Sequence, residues 1–173
     1  THPYAVEVTE HIKESAKKTN LPYLRLSRST AAEREIAEHE WMIHTVADTQ
    51  ECVELLSKLP GNILLTTGSK ELHAYAAREE IRKRLFVRVL PGVESIEICH
   101  REQIPGKQII AMQGPFGTEL NEALIRQYDI GVLVTKESGQ AGGFPEKIRA
   151  AEHTKIPVVM IQNPEQAGGM SME

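Results

Sequence analysis

VLVTKESGQAGG, residues 132–143, opens on β-branched and aliphatic residues and then passes within a few positions to a lysine, a serine and three glycines. A strand buried on both faces reads as an apolar run bounded by turn residues. Gly139, Gly142 and Gly143 allow backbone to approach a ligand closely or to take positive φ. Lys136 and Ser138 are then expected at the carboxyl edge of that strand, with backbone N–H groups beside them. For one such loop, a well-built turn is the plainer reading. The neighbouring segments decide between the two.

Outward from this stretch the same scheme repeats. Toward the amino terminus, WMIHTV (41–46) reads as a strand, and TQECVELLSKL (49–59) as a helix with Thr49 at its N-cap. NILLTTGS (62–69) is a strand running into a turn, followed by a helix over 70–83 and the strand LFVRVLP (85–91). A helix over 93–102 follows, then QIIAMQGPFG (108–117), again a strand ending in a Gly/Pro loop, and a helix from Thr118 to Tyr128. Beyond the opening stretch lie a helix over 144–154 and the strand PVVMIQNP (157–164). Strands alternating with helices imply a parallel sheet with helices on both faces. In such a sheet TTGS, LPG, QGPFG and TKESGQAGG all fall on one edge, where open α/β sheets bind ligands and helix N-termini favour anions. Neither GxGxxG nor GxxxxGK[ST] occurs, so the standard nucleotide fingerprints are absent.

Composition excludes several classes. The 173 residues suffice for one large domain or one domain plus a piece. The net charge of −4 gives no basic footprint for nucleic acid. No apolar run approaches the roughly 20 residues of a membrane helix, so neither partner is expected. Cys52 and Cys99 lack a CxxC spacing and read as packing residues, which fits a reduced, cytoplasmic setting. His39 and His44 are five apart, and His73, His100 and His153 stand alone, so no metal site is expected.

The first residues follow a different logic. THPYA enters a helix with no strand before it; Pro3 suits a first helical turn, and Val8, Ile12 and Ala16 share a face over 5–18. Asn20 and Pro22 stop that helix, and YLRLS (23–27) reads as a short strand. A helix and a strand without a preceding strand make half of a βαβ unit, as if the chain began inside a domain.

Taken together, THPYA (1–5), YLRLSR (23–28), LLTTGSKEL (64–72), RVLP (88–91), AMQGPFGTELN (111–121) and TKESGQAGGFPEKIRAA (135–151) resemble the precorrin-6A reductases, including the cobalt-precorrin-6A reductases, of cobalamin biosynthesis. The resemblance spans the whole chain. It implies two Rossmann-like lobes with the active site between them, and reduction of one double bond of a tetrapyrrole by a nicotinamide cofactor, NADPH in the usual case and NADH as the alternative. On this pattern residues 1–30 are the remnant of an incomplete first lobe, residues 41–164 are the second Rossmann-like lobe, a parallel sheet with helices on both faces, and residues 165–173 are a tail. The chain alone is then expected to be a poor catalyst. The apolar surface of its first segment is expected to drive association into a homo-oligomer.

Roles for particular residues follow from that resemblance. A precorrin carries many carboxylates, so its pocket needs basic donors along the rim. Arg25, Arg28, Arg88, Lys136 and Lys147 are the candidates, beside the glycine loop with Ser138, Gly139, Gly142 and Gly143. Solvated surface charge is the plainer reading of an arbitrary basic residue, but Arg25, Arg88 and Lys136 lie in or beside apolar runs, which favours a place in the site; Lys147 is also read as covering its helix. Thr67, Gly68 and Ser69 are candidates to hold a cofactor phosphate through backbone donors. Gln113, Gly114, Pro115 and Phe116 form the next loop, with Phe116 either stacked on a flat ring or part of the core. His2, Tyr4 and Lys136 are the candidate proton donors, against capping, packing and a purely electrostatic clamp respectively. Two rival readings stand beside the reductase: a non-catalytic module holding a tetrapyrrole or a nucleotide, and an unrelated α/β enzyme for a phosphorylated metabolite.

Overall fold

The structure is a computed structural model that describes residues 6–19, 42–137 and 142–162. The expected strand at 23–27 and the tail at 165–173 lie outside the described residues. Helix α1 spans Val6–Lys18, and Ile12 on it is exposed. The remaining elements alternate: β1 Ile43–Val46, α2 Thr49–Leu56, β2 Asn62–Leu65, α3 Leu72–Ala76, α4 Glu79–Arg82, β3 Leu85–Val89, α5 Val93–Arg101, β4 Ile109–Ala111, α6 Thr118–Gln127, β5 Ile130–Lys136, α7 Phe144–Thr154 and β6 Val158–Ile161.

The six strands form one sheet in the order β1-β6-β5-β2-β3-β4, and every pairing is parallel. This is a Rossmann-like α/β arrangement. From β2 the chain steps outward to β3 and β4. It then returns to the far side of β2 and steps the other way, through β5 to β6. The winding therefore reverses between β2 and β5, and their carboxyl ends flank the switch point at which such sheets bind ligands.

Side-chain alternation sorts the core into two layers. Ile63, Leu65, Val87, Val89, Val132 and Val134 pack with Cys52, Leu56, Tyr75 and Cys99 under α2 to α5. Leu64, Leu133, Val158 and Met160 pack with Ile125, Phe144, Ile148 and Ala151 under α6 and α7. Both cysteines are buried and free. The register between β2 and β5 slips by one residue at Asn62, where Gly131 is the extra position. Its backbone touches Gly61 so closely that a Cβ on Gly131 would lie 2.9 Å from both the Gly61 Cα and the Pro60 carbonyl oxygen.

Three local expectations are corrected. The N-cap of α2 is Asp48, whose carboxylate accepts from the Glu51 N–H at 2.9 Å, while Glu51 reaches back to the Ala47 N–H. This is a reciprocal cap of the kind acidic side chains make well, and it leaves the Thr49 hydroxyl for another partner. The helix expected over 70–83 is two short helices, broken where Arg78 takes an extended backbone and its guanidinium donates to the Ser57 hydroxyl. The strand expected over 108–117 is three residues long, because residues 106–108 form a 3-10 turn that hydrogen-bonds Gln108 to the Lys83 and Leu85 carbonyls.

Candidate functional site

Because every strand runs the same way, the loops after β2, β3, β4 and β5 share the carboxyl edge. The Thr66 N–H and hydroxyl both donate to the Val134 carbonyl, at 3.0 and 2.7 Å, which joins the end of β2 to β5 at the switch point. Gly68 takes φ +83, and nothing stands within 4 Å of where its Cβ would be. The Thr67 hydroxyl beside it is buried and has no hydrogen-bond partner among the described residues. An orphaned hydroxyl and an open, left-handed glycine suit a phosphate-bearing ligand, whose oxygens accept from both hydroxyl and backbone donors.

Lys136 ends β5. It is not a free clamp at a loop: its ammonium pairs with Glu71 at 3.0 Å, and Glu71 also accepts from the Thr49 hydroxyl at 2.9 Å. The carboxylate thus bridges the loop after β2, the start of α2 and the end of β5. Lys136 remains about one quarter exposed. That geometry holds a cation at the switch point without sealing it from a ligand.

The second cluster lies on the opposite face of the sheet. In β3 Leu85, Val87 and Val89 face one layer, so Arg88 faces the other, under α6 and α7. Its guanidinium donates to the Asn121 carboxamide oxygen at 2.8 Å and lies 4.4 Å from the centre of the Phe116 ring. Asn121 in turn donates to the Gly117 carbonyl at 2.8 Å, bracing the loop that carries Phe116. Burial pushes the Arg88 guanidinium down to about 10.

Lys147 corrects the surface reading most sharply. Only 6% exposed, it does not cover α7; it points inward. Its ammonium donates to the Thr135 hydroxyl at 3.2 Å and to the Gly142 carbonyl at 2.9 Å. Burial first, and the neighbouring charge of Arg88 second, hold it down to about 7, with Glu146 acting in the other direction. Gly143 caps α7 at φ +65, in the left-handed conformation that glycine tolerates. Phe116 is neither a core residue nor a free platform: it is partly exposed, and Arg88 occupies one side of its ring.

The structure thus brings Arg88, Phe116, Gly142, Gly143 and Lys147 into one cluster, and Thr67, Gly68, Ser69 and Lys136 into another at the switch point. Gln113, Gly114 and Pro115 are exposed on the same edge. His2, Tyr4, Arg25, Arg28, Ser138 and Gly139 lie outside the described residues. Sequence reasoning overlooked Glu71, Asn121 and Thr135. The signal for Asn121 was its i, i+4 relation to the apolar Ile125 on one helical face, and both are buried. Among the described residues no group of His, Cys, Asp and Glu is arranged to hold a metal, and no helix is long and apolar enough to cross a membrane.

The model of the family described as "Precorrin-6x reductase CbiJ/CobK" matches residues 1–173. The chain is 35% identical over 168 residues to a cobalt-precorrin-6A reductase of Priestia megaterium, covering 95% of this chain and 63% of that protein. It is also 35% identical over 167 residues to one of Methanothermobacter thermautotrophicus, covering 95% of this chain and 53% of the relative. A precorrin-6A reductase of Rhodococcus erythropolis is 32% identical, at 95% and 61% coverage. The chain therefore spans between 53% and 63% of the length of these relatives. A solved structure described as "CobK precorrin-6A reductase" superposes with a TM-score of 0.72 at 20% identity, covering 99% of this chain and 65% of that one, and so shares the fold. An orphaned hydroxyl at the switch point and buried cations on the same edge sit on a chain matched from end to end by one family model, and the chain belongs to the precorrin-6x reductase family.

Proposed function

We propose that this chain is the part of a reductase that reduces one double bond of the precorrin-6A or cobalt-precorrin-6A macrocycle with NADPH, in the cytoplasm, as a step of cobalamin biosynthesis. The family match over the whole chain carries this reading. The carboxyl edge supports it with two ligand-facing features, the open turn at Thr67–Ser69 and the cationic cluster around Arg88. In this reading residues 41–164 are the second lobe, residues 1–30 belong to the first, and residues 165–173 are a tail.

When bound, the nicotinamide supplies the hydride; the chain's own residues bind, orient and screen charge. Thr67, Gly68 and Ser69 hold a cofactor phosphate, with Gln113 to Phe116 closing over the same ligand. Arg25, Arg28, Arg88 and Lys147, with Ser138, Gly139, Gly142 and Gly143, receive the carboxylates of the tetrapyrrole. Lys136 stands at the switch point, paired with Glu71, as electrostatic clamp or proton donor, with His2 and Tyr4 as the other donors. Copies of the chain associate through the apolar face of the first segment.

The test is NADPH oxidation followed spectroscopically, with cobalt-precorrin-6A as acceptor and NADH in parallel. It compares this chain with one lengthened toward the size of its relatives. The expected outcome is binding of NADPH by both, slow turnover by this chain and faster turnover by the longer one. Binding of macrocycle or nucleotide with no turnover by either would establish the non-catalytic module instead. Binding of neither would end the tetrapyrrole reading.

A further inference from the structure

We propose that Arg88 and Lys147 form the base of a single oxyanion pocket between β3, β5 and α7, which receives one carboxylate or phosphate group of a ligand. Only the source of that oxyanion rests on the reductase reading. Both side chains are 6% exposed. Two buried cations close enough to perturb one another are costly unless counter-charge is supplied. Yet among the described residues their hydrogen-bond partners are all neutral: the Asn121 amide, the Thr135 hydroxyl and the Gly142 carbonyl.

The charged surroundings supply only part of the balance, since Glu146 acts on Lys147 less than burial and Arg88 do. On α7, Glu146 pairs with Arg149 at 2.9 Å. At the end of β5, Lys136 is engaged with Glu71, and the largely buried Glu137 has a partner other than Arg88 and Lys147. β5 itself presents the neutral Thr135, α6 presents Asn121 to Arg88, and the loop after β4 presents Phe116. Among the described residues the cluster therefore carries excess positive charge in a desolvated place.

The donor geometry is also incomplete. A guanidinium has five N–H groups, and Arg88 spends one of its hydrogen bonds, on Asn121. Its other nitrogens are not among the buried polar groups closed off from solvent. Phe116 covers the guanidinium on one side, which fixes the plane of the fork. A fork with unspent donors that is fixed in orientation suits a bidentate oxyanion.

Lys147 makes the pocket measurable. Its ammonium is held down to about 7, so it is largely neutral a unit or more above that value. An arriving anion restores the charge and draws a proton onto Lys147. Calorimetric titrations should therefore use uroporphyrin as a polycarboxylate probe and adenosine 2′,5′-bisphosphate as a phosphate probe. They should run in two buffers of different ionisation heat across a pH range centred on that value. We expect one of the probes to bind with uptake of close to one proton, and with an affinity falling up to about tenfold per pH unit on the alkaline side.

Lys147→Met should remove most of that affinity. Lys147→Arg should keep the affinity and lose its pH dependence, because arginine stays charged; this control also separates Lys147 from the titration of the probe itself. Thermal melts of each variant establish that it is folded. A proton-linked response to uroporphyrin alone assigns the pocket to a macrocycle carboxylate; a response to the bisphosphate alone assigns it to a cofactor phosphate. Affinities for both probes that do not change with pH, or a folded Lys147→Met that binds like the parent, would overturn the pocket. NADPH oxidation without this linkage would remove the pocket and leave the reductase reading. The linkage without oxidation would do the reverse.

Discussion

Arg84 and Arg88 stand four residues apart at opposite ends of β3, and their hydrogen bonds could hardly differ more. Arg84, at the amino edge, donates to the carbonyls of Leu56, Leu59, Gly61 and Glu80 at 2.7–3.2 Å. It ties the end of α2 and the turn into β2 onto the next strand. Arg88, at the carboxyl edge, makes one hydrogen bond among the described residues. Gly61 and Gly131 touch backbone to backbone at the amino edge. Among the described residues a Cβ on Gly68 or Gly92 at the carboxyl edge would meet nothing within 4 Å, and one on Gly114 would meet only the Phe116 ring and its loop, though Gly106 before β4 is open as well. In the groove at the amino edge Asn62 donates to the Tyr128 carbonyl and Gln108 to those of Lys83 and Leu85. One edge uses its polar groups to close the fold, and the other leaves donors and space over.

The comparison breaks most decisively at Gly131. Gly131→Ala drives a methyl against backbone on two sides and should cost about 2–3 kcal/mol in a denaturant melt; a loss below the precision of the melt would mean that the amino edge is not closed. Next comes Arg84→Met, which strands carbonyls at the end of α2. We expect a loss of about 2 kcal/mol with ligand affinity unchanged; a variant as stable as the parent that binds less ligand would invert the division of roles.

Lys147 has a smaller effect, visible through pH. Its folded value lies near 7, below the ordinary lysine value in the unfolded chain, so between them the unfolded state holds more protons and stability rises with pH. The slope is at most about 1.4 kcal/mol per unit. It should be read below the ordinary thiol range, because burial raises Cys52 to about 12 and also raises Cys99 and Tyr75, which turns the trend downward once the unfolded thiols ionise. In Lys147→Met the rise should vanish; a rise that persists would put the titrating group elsewhere. The smallest change is Gly92→Ala, at a helix cap with open space and a negative φ, which should move stability by no more than about 0.5 kcal/mol.

The parallel sheet was legible because its signals are local. Each apolar run ends in glycine, proline or a small polar residue, and the expected helix over 144–154 coincides with α7. The shared edge followed from direction alone. What stayed hidden was set by partners distant in sequence. Asp48 and Thr49 are both good caps, and only the approach of Glu71 from the next helix shows which of them is free for another bond. A lysine in EKIRAA reads as solvent-facing until a hydroxyl from β5 is seen to meet its ammonium. Arg88 and Asn121 are 33 positions apart, and no local pattern links them.

The edge strand β1 has a consequence of another kind. Its neighbour in the sheet is β6, the last strand, and the pairing of Ile43 with Val158 joins residues more than a hundred positions apart. Closing so long a loop carries an entropic cost that grows with its length, and contacts of this range slow folding. Of the six described strands, β1 leaves the ribosome first and finds its partner last. Until then Ile43, Val46 and the unpaired backbone around them stand open, so the interval between making β1 and making β6 is when this fold is most exposed to pairing with the wrong strand.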